Sequence, residues 1–221
     1  MFQKHKGDMQ SINIGMNVSM RKFMKIMGIF LTAFGFFGFV GGFFISSGII
    51  DYDGELPLGH VTSIVVDNRG DIYIGLGFYS KVQVYDSKGN FLRNWQVEAG
   101  GGTFAMDLTP EQNILVSVAR GRNQILYNQY GIILSRNKIK GDTTETHQFD
   151  VTSYKTQEGI LYDIEGWVIP KVTRLLPPKQ VVIKQNVFLQ LIRGPFPAWM
   201  WLGIGTALRF LNQRREEQSQ N

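Results

Sequence analysis

An all-β, propeller-like extracytoplasmic domain of two to three four-stranded blades, flanked by transmembrane α-helices, is the fold class that three features predict. The first is an uncharged run of 25 residues, Ile26 to Ile50. The second is a self-similarity without gaps at an offset of 42 residues, starting at His60. The third is another apolar run, Ala198 to Leu211, with prolines before it and arginines after it.

As a helix the first run would be about 37 Å long, against a hydrocarbon core of roughly 30 Å, so it can cross with some tilt. Lys4, Lys6, Arg21, Lys22 and Lys25 precede it, opposed only by Asp8, while Asp51, Asp53 and Glu55 follow it. Basic residues collect on the cytoplasmic side. The expected layout is a basic cytoplasmic N-terminus over 1–25, a transmembrane helix over 26–50, and an extracytoplasmic domain over 51–193. A cleaved signal has an apolar core of only about 7–15 residues, which favours an anchor. Ser46-Ser47-Gly48 is the alternative, a place for a peptidase to cut. Gly38 and Gly42, in a Gly-x-x-x-Gly spacing, are the candidates for close contact with another helix.

The net charge of +5 does not mark a nucleic-acid binder. Between Tyr52 and Arg193 there are 15 Lys and Arg against 14 Asp and Glu, so the surplus sits beside the apolar runs. The chain has no cysteine, which removes disulfides and thiolate metal sites.

The repeat sets Val66 over Leu108, Ile72 over Ile114, Tyr85 over Tyr127 and Gly89 over Gly131. Each unit holds four short β-branched or aromatic runs divided by turn residues. Four strands every ~40–45 residues is the spacing of a propeller blade, whose sheet buries its faces only by stacking on the next. The expected blades cover about 60–96, 102–137 and 148–185.

In the first unit, Val65-Val66-Asp67-x-x-Gly70-Asp71-Ile72-Tyr73-Ile74 is followed by Val82-Gln83-Val84-Tyr85-Asp86-x-x-Gly89-x-Phe91. These residues resemble an NHL-type repeat, and the resemblance implies a propeller-like fold without implying an activity. The second unit departs from the pattern at Thr109, Gln112 and Asn128, which replace an aspartate, a glycine and an aspartate. A third unit reads as strands at Asp150 to Tyr154, Gly159 to Asp163, Trp167 to Arg174 and Gln180 to Lys184, with Gly159 under Gly70. A plain antiparallel meander would give the same alternation. Three blades fall short of the usual 4–8, so an open arc is expected to be capped by its own ends or completed by a protein partner or second copy.

At the far end, residues 194–211 read as a second transmembrane helix and 212–221 as a cytoplasmic tail. Trp199 and Trp201 suit an interfacial belt, and Arg209 is near enough to the end to snorkel toward Arg214 and Arg215. A helix lying on the membrane surface is the rival.

Chemistry is sparse. Glu145, His147 and Asp150 are the candidate metal ligands, because alternating residues on a strand share a face, although a solvated loop accounts for them as well. Asp51 to Glu55 resembles the start of a calcium loop but lacks the third ligand and the distal glutamate, so an acidic linker leaving the membrane is the better reading. Neither a nucleophile elbow nor a phosphate-binding loop is present. No cofactor and no catalytic residue is expected. The predicted role is a membrane-anchored binding or scaffolding protein of a bacterial cell envelope, in contact with the lipid bilayer and a protein partner or itself. The alternatives are a metal-dependent enzyme or sensor, or a truncated remnant of a larger propeller.

Overall fold

The structure, a computed structural model, describes residues 18–99, 103–119, 123–138, 152–166, 169–176, 178–193 and 195–218. Helix α1 covers Val18–Ser46, and three four-stranded antiparallel sheets follow. The first sheet holds β1 Val61–Val66, β2 Ile72–Leu76, β3 Lys81–Tyr85 and β4 Phe91–Gln96. The second holds β5 Phe104–Leu108, β6 Ile114–Val118, β7 Asn123–Tyr127 and β8 Ile133–Lys138. The third holds β9 Ser153–Lys155, β10 Leu161–Glu165, β11 Lys171–Arg174 and β12 Gln180–Lys184. Helices α2 Val187–Arg193 and α3 Pro195–Gln218 complete the chain.

The fold is therefore mostly β and propeller-like, with every strand of the second sheet 42 positions after its counterpart in the first. Each sheet is a meander whose neighbours in sequence are neighbours in space. The residues that break the sequence pattern do the work of those they replace. Asp67 Oδ1 accepts hydrogen bonds from the amides of Arg69 and Asp71. In the second and third sheets, Thr109 Oγ1 and Thr156 Oγ1 accept from the amides of Asn113 and Ile160. Gly70 and Gly159 both have φ +84°, and Gln112 adopts φ +62° in the equivalent place. Asn128 Oδ1 accepts from the amides of Tyr130 and Ile132, as Asp86 Oδ1 does from Lys88 and Asn90.

The order of the sheets in space is third, first, second. Each sheet has a leading face, carrying Ile72, Ile114 or Leu161, and a trailing face, carrying Tyr73, Leu115 or Tyr162. The trailing face of the first sheet packs Tyr73, Val82, Val84 and Trp95 against Ile114, Val116, Ile125 and Tyr127 of the second. Its leading face packs Ile72, Ile74 and Tyr85 against Tyr162, Val172 and Ile183 of the third. The first sheet is thus the buried centre of the domain, with β2 and β3 enclosed on both faces.

Helices α1 and α3 run antiparallel in close contact. A Cβ on Gly35 would sit 2.6 Å from both the carbonyl of Ala198 and the amide of Leu202, and one on Gly205 would sit 2.5 Å from the amide of Thr32. Gly28 faces the Arg209 side chain and the carbonyl of Gly205. Among the described residues one helix segment, Lys22–Ser46, is long and apolar enough to cross a membrane.

Several expected boundaries move. Helix α1 covers Val18–Ser46, taking Arg21, Lys22 and Lys25 into its first turns, because nothing between Val18 and Ile26 breaks a helix. Helix α2 occupies residues expected in the β domain, started by Asn186, whose Oδ1 accepts the amide of Phe188. Helix α3 runs past 211 to Gln218, through residues of good helix propensity. In the third sheet, β9 begins at Ser153 and β11 at Lys171, where Gly166 at φ +89° and Pro170 precede it.

Candidate functional site

The first turns of the three sheets meet at one end of the domain around a cleft of about 280 Å³. Asp67, Asn68 and Gly70 line it from the first sheet, Thr109, Pro110 and Gln112 from the second, and Tyr154, Thr156, Gln157 and Glu158 from the third. The turns are tied to each other as well as to themselves. Gln112 Oε1 accepts the amide of Asn68 at 2.9 Å, and Gln129 donates to the carbonyl of Gln112. Arg93 reaches from β4 to the Gln129 carbonyl at 2.6 Å and lies over the Tyr130 ring.

The chemistry of the cleft is that of hydroxyls, amides and carboxylates. Asp67 is buried and saturated, accepting from two amides, from Arg69 Nη2 at 3.2 Å and from the Tyr73 hydroxyl at 3.2 Å. Burial, reinforced by the negative charge of Asp67, pushes the Tyr73 phenol up to about 12. Burial first, then Asp107, raises Tyr154. Burial and Asp67 also raise Asp71, against the opposing pull of Arg69. This donor and acceptor set can hold a polar or cationic group. It contains no histidine or lysine to act as a base.

Raised phenols carry a consequence for pH. A folded pKa above the unfolded value of 10 stabilises the fold below that pH, and the contribution is lost as pH rises through the folded value. Burial raises Tyr85 and Tyr127 in the same direction. Thermal melting followed by circular dichroism is expected to show the midpoint falling from pH 10 upward. In Tyr73→Phe the fall should be shallower.

At the other end of the same strands, the segment between α1 and β1 is strapped into the junction of the first and third sheets. Leu56 and Leu58 are buried there. Gln83 Oε1 accepts the amide of Leu56 at 2.5 Å, and Gln185 Oε1 accepts that of Leu58 at 2.9 Å. Glu55 accepts from the Tyr85 hydroxyl at 3.0 Å and from Gln185 Nε2 at 2.8 Å. Lys81, 1% exposed, donates to the Tyr52 carbonyl and to Asn94 Oδ1, both at 3.0 Å, and reaches Asp51 at 3.5 Å. Gln96 donates to the carbonyl of Ser46, the last residue of α1. Burying an ammonium is costly unless acceptors replace water, and the strap supplies them. Gln185→Ala leaves the buried Leu58 amide without its acceptor and should cost about 1–3 kcal/mol. Faster hydrogen exchange at Leu58 is the accompanying readout.

These contacts place most of the residues singled out from the sequence. Asp51 and Glu55 belong to the strap rather than to a calcium loop. Gly42 lies against Phe78 of the β2–β3 turn, and Gly38 lines an apolar groove of about 400 Å³ between α1 and Tyr52, Leu56 and Tyr79. Gly28 and Gly35 of α1 meet α3, while Gly42 meets Phe78. Glu145, His147 and Asp150 lie outside the described residues, as does Trp167. Among the described residues no group of three or more His, Cys, Asp and Glu side chains could hold a metal.

No protein-family model matches the chain, and no curated protein matches it. Solved structures do. Selenomethionine-substituted virginiamycin B lyase from Staphylococcus aureus matches at 9% identity and a TM-score of 0.34, over 59% of this chain and 43% of that one. A streptogramin B lyase matches at 9% identity and 0.35, over 60% and 42%. A protein of unknown function from Bacteroides caccae matches at 17% identity and 0.32, over 57% and 49%. This chain spans less than half the length of each of these. Overlap of this extent carries nothing about activity, and the blade-like arrangement rests on the three sheets themselves.

The strap and the glycine seam were missed in the sequence for different reasons. Gly28, Gly35 and Gly42 recur every seventh residue, a visible heptad stripe on one helix face. The strap depends on Gln185 meeting residues 127 to 130 positions away, and no local pattern announces that.

Proposed function

We propose that the chain is a membrane-anchored, extracytoplasmic binding protein that presents its three-turn cleft away from the bilayer. The observation carrying this reading is the fusion of an apolar helix pair, without slack, to the end of the domain opposite the cleft. Phe23, Ile26, Phe30, Phe37 and Phe43 of α1, and Trp199, Ile204 and Phe210 of α3, turn outward and are exposed. Lipid would cover them at no cost.

The antiparallel pairing supports two passes with both termini in the cytoplasm. It brings Arg209 beside Gly28, about 4.5 Å along the axis from Lys25, so both basic clusters collect at one end. Trp199 packs at a tilt against Phe39, which in turn touches Phe78, at the domain end, where an aromatic belt belongs. The tie from Ser46 to Gln96 and the seat of Gly42 on Phe78 favour an anchor over a cleaved signal.

Because the chain has no cysteine, single-cysteine variants report position cleanly. In intact cells a membrane-impermeant maleimide is expected to label Gln157→Cys and to spare Gln213→Cys until the membrane is opened. Labelling of both from outside removes the second pass. Labelling of neither removes the extracytoplasmic domain.

A further inference from the structure

We infer that two copies of this chain close into one six-bladed ring, each copy supplying an arc of three sheets. The ground is the order of faces. Both internal junctions join a trailing face to a leading face: first to second, and third to first. Among the described residues, no sheet packs against the trailing face of the second sheet or the leading face of the third. These are the complementary kinds, and a two-fold rotation sets each against its opposite in the other copy. Two contacts of the kind already present twice in one chain then complete the circle.

The number follows from the count of sheets. One copy gives three blades and three copies give nine, both outside the usual 4–8, while two copies give six. Closure also restores the neighbour relation that repeats favour. In one chain the third sheet sits before the first, so the second has no successor. In the ring, the partner's third sheet follows the second.

The open faces suit a reversible contact. On the second sheet, the half-buried Leu115 and Leu126 are cross-strand partners, flanked by the buried Ser117 and by Gln124. Offsets of 42 make them the counterparts of Tyr73 and Val84, which face Ile114 in the first junction. On the third sheet the position of Ile114 is held by Leu161, beside Asp163, the fully buried Thr173 and the half-exposed Val181. Asp107 on the one face and Lys155 on the other occupy the counterparts of Val65 and Leu108, which share a cluster in the first junction, and they are of opposite charge. Strand spacing of about 4.8 Å and a rise of about 3.3 Å give each four-stranded face roughly 300 Å². Four faces make roughly 1,200 Å², the lower end of specific interfaces. The mixed polarity keeps a lone copy soluble at these faces and makes the closed ring weaker than its internal junctions.

The test uses the full chain in detergent. Leu126→Cys together with Leu161→Cys, treated with a short bismaleimide, is expected to run as a covalent dimer. Each single variant alone should stay monomeric on a denaturing gel, because in the ring neither residue meets its own copy. An equimolar mixture of the two singles should restore the dimer. Mass by light scattering should be twice the chain, and Leu126→Arg, with unchanged circular dichroism, should halve it. A monomeric wild-type mass overturns the inference, and so do a cross-link within one chain or a stoichiometry other than two. A different protein trapped on Leu126 overturns it as well. The inference rests on the faces alone, so a failed labelling pattern at Gln157 and Gln213 would leave it standing.

Discussion

Gly89→Ala should unseat the third sheet from the first and lower domain stability by about 3–5 kcal/mol. Gly89 has φ +85°, a region an L side chain occupies only with strain. Its added Cβ would also drive into the backbone carbonyl of Val182, in β12. A carbonyl in a strand cannot rotate away as a side-chain tip can, so β12 would have to shift. Gly159→Ala is the matched control. Its φ is +84°, and its Cβ meets only the end of Lys155 at 4.0 Å. It should cost about 1–2 kcal/mol, the backbone strain alone. The difference between the two urea midpoints reads the junction, and equal midpoints would mean that the two sheets are not seated as described.

Gly35→Ala should open the helix pair. Backbone lies 2.6 Å from the new Cβ on two sides, at Ala198 and Leu202, so only separation of the helices relieves it. Overpacking of this kind costs about 1–3 kcal/mol. Gly41→Ala, on the same helix, has nothing within 4 Å of its Cβ and should be silent. Protease sensitivity of α3 in detergent, compared between the two variants, is the measurement. Equal resistance would dissolve the pairing.

The sequence made the first blade plain because its side chains alternate between two buried faces and its turns carry Asp and Gly. The second blade was harder for a physical reason. A turn needs an acceptor at its first position and a residue tolerating positive φ at its fourth, and Thr109 and Gln112 meet those needs without matching the letters. Gln112 is an unusual choice for φ +62°, and its side chain shows what accompanies it, since it caps the Asn68 amide of the neighbouring sheet. The cleft was invisible because its walls come from three turns between residues 66 and 162. Nothing local distinguishes an order of third, first, second from a simple succession. In the helices, Gly28 and Gly35 pack against α3 and Gly42 against Phe78, a seven-residue stripe longer than the spacing that draws notice in the sequence.

The strap has a mechanical meaning. With Leu56 and Leu58 locked between two sheets and Ser46 held by Gln96, no swivel separates the helix from the blades. On the proposed anchoring, the cleft then stands at a fixed altitude, about 17 Å of strand beyond the lipid surface. A target must come to that height, and any load it hangs there is felt as torque on the helices in the bilayer.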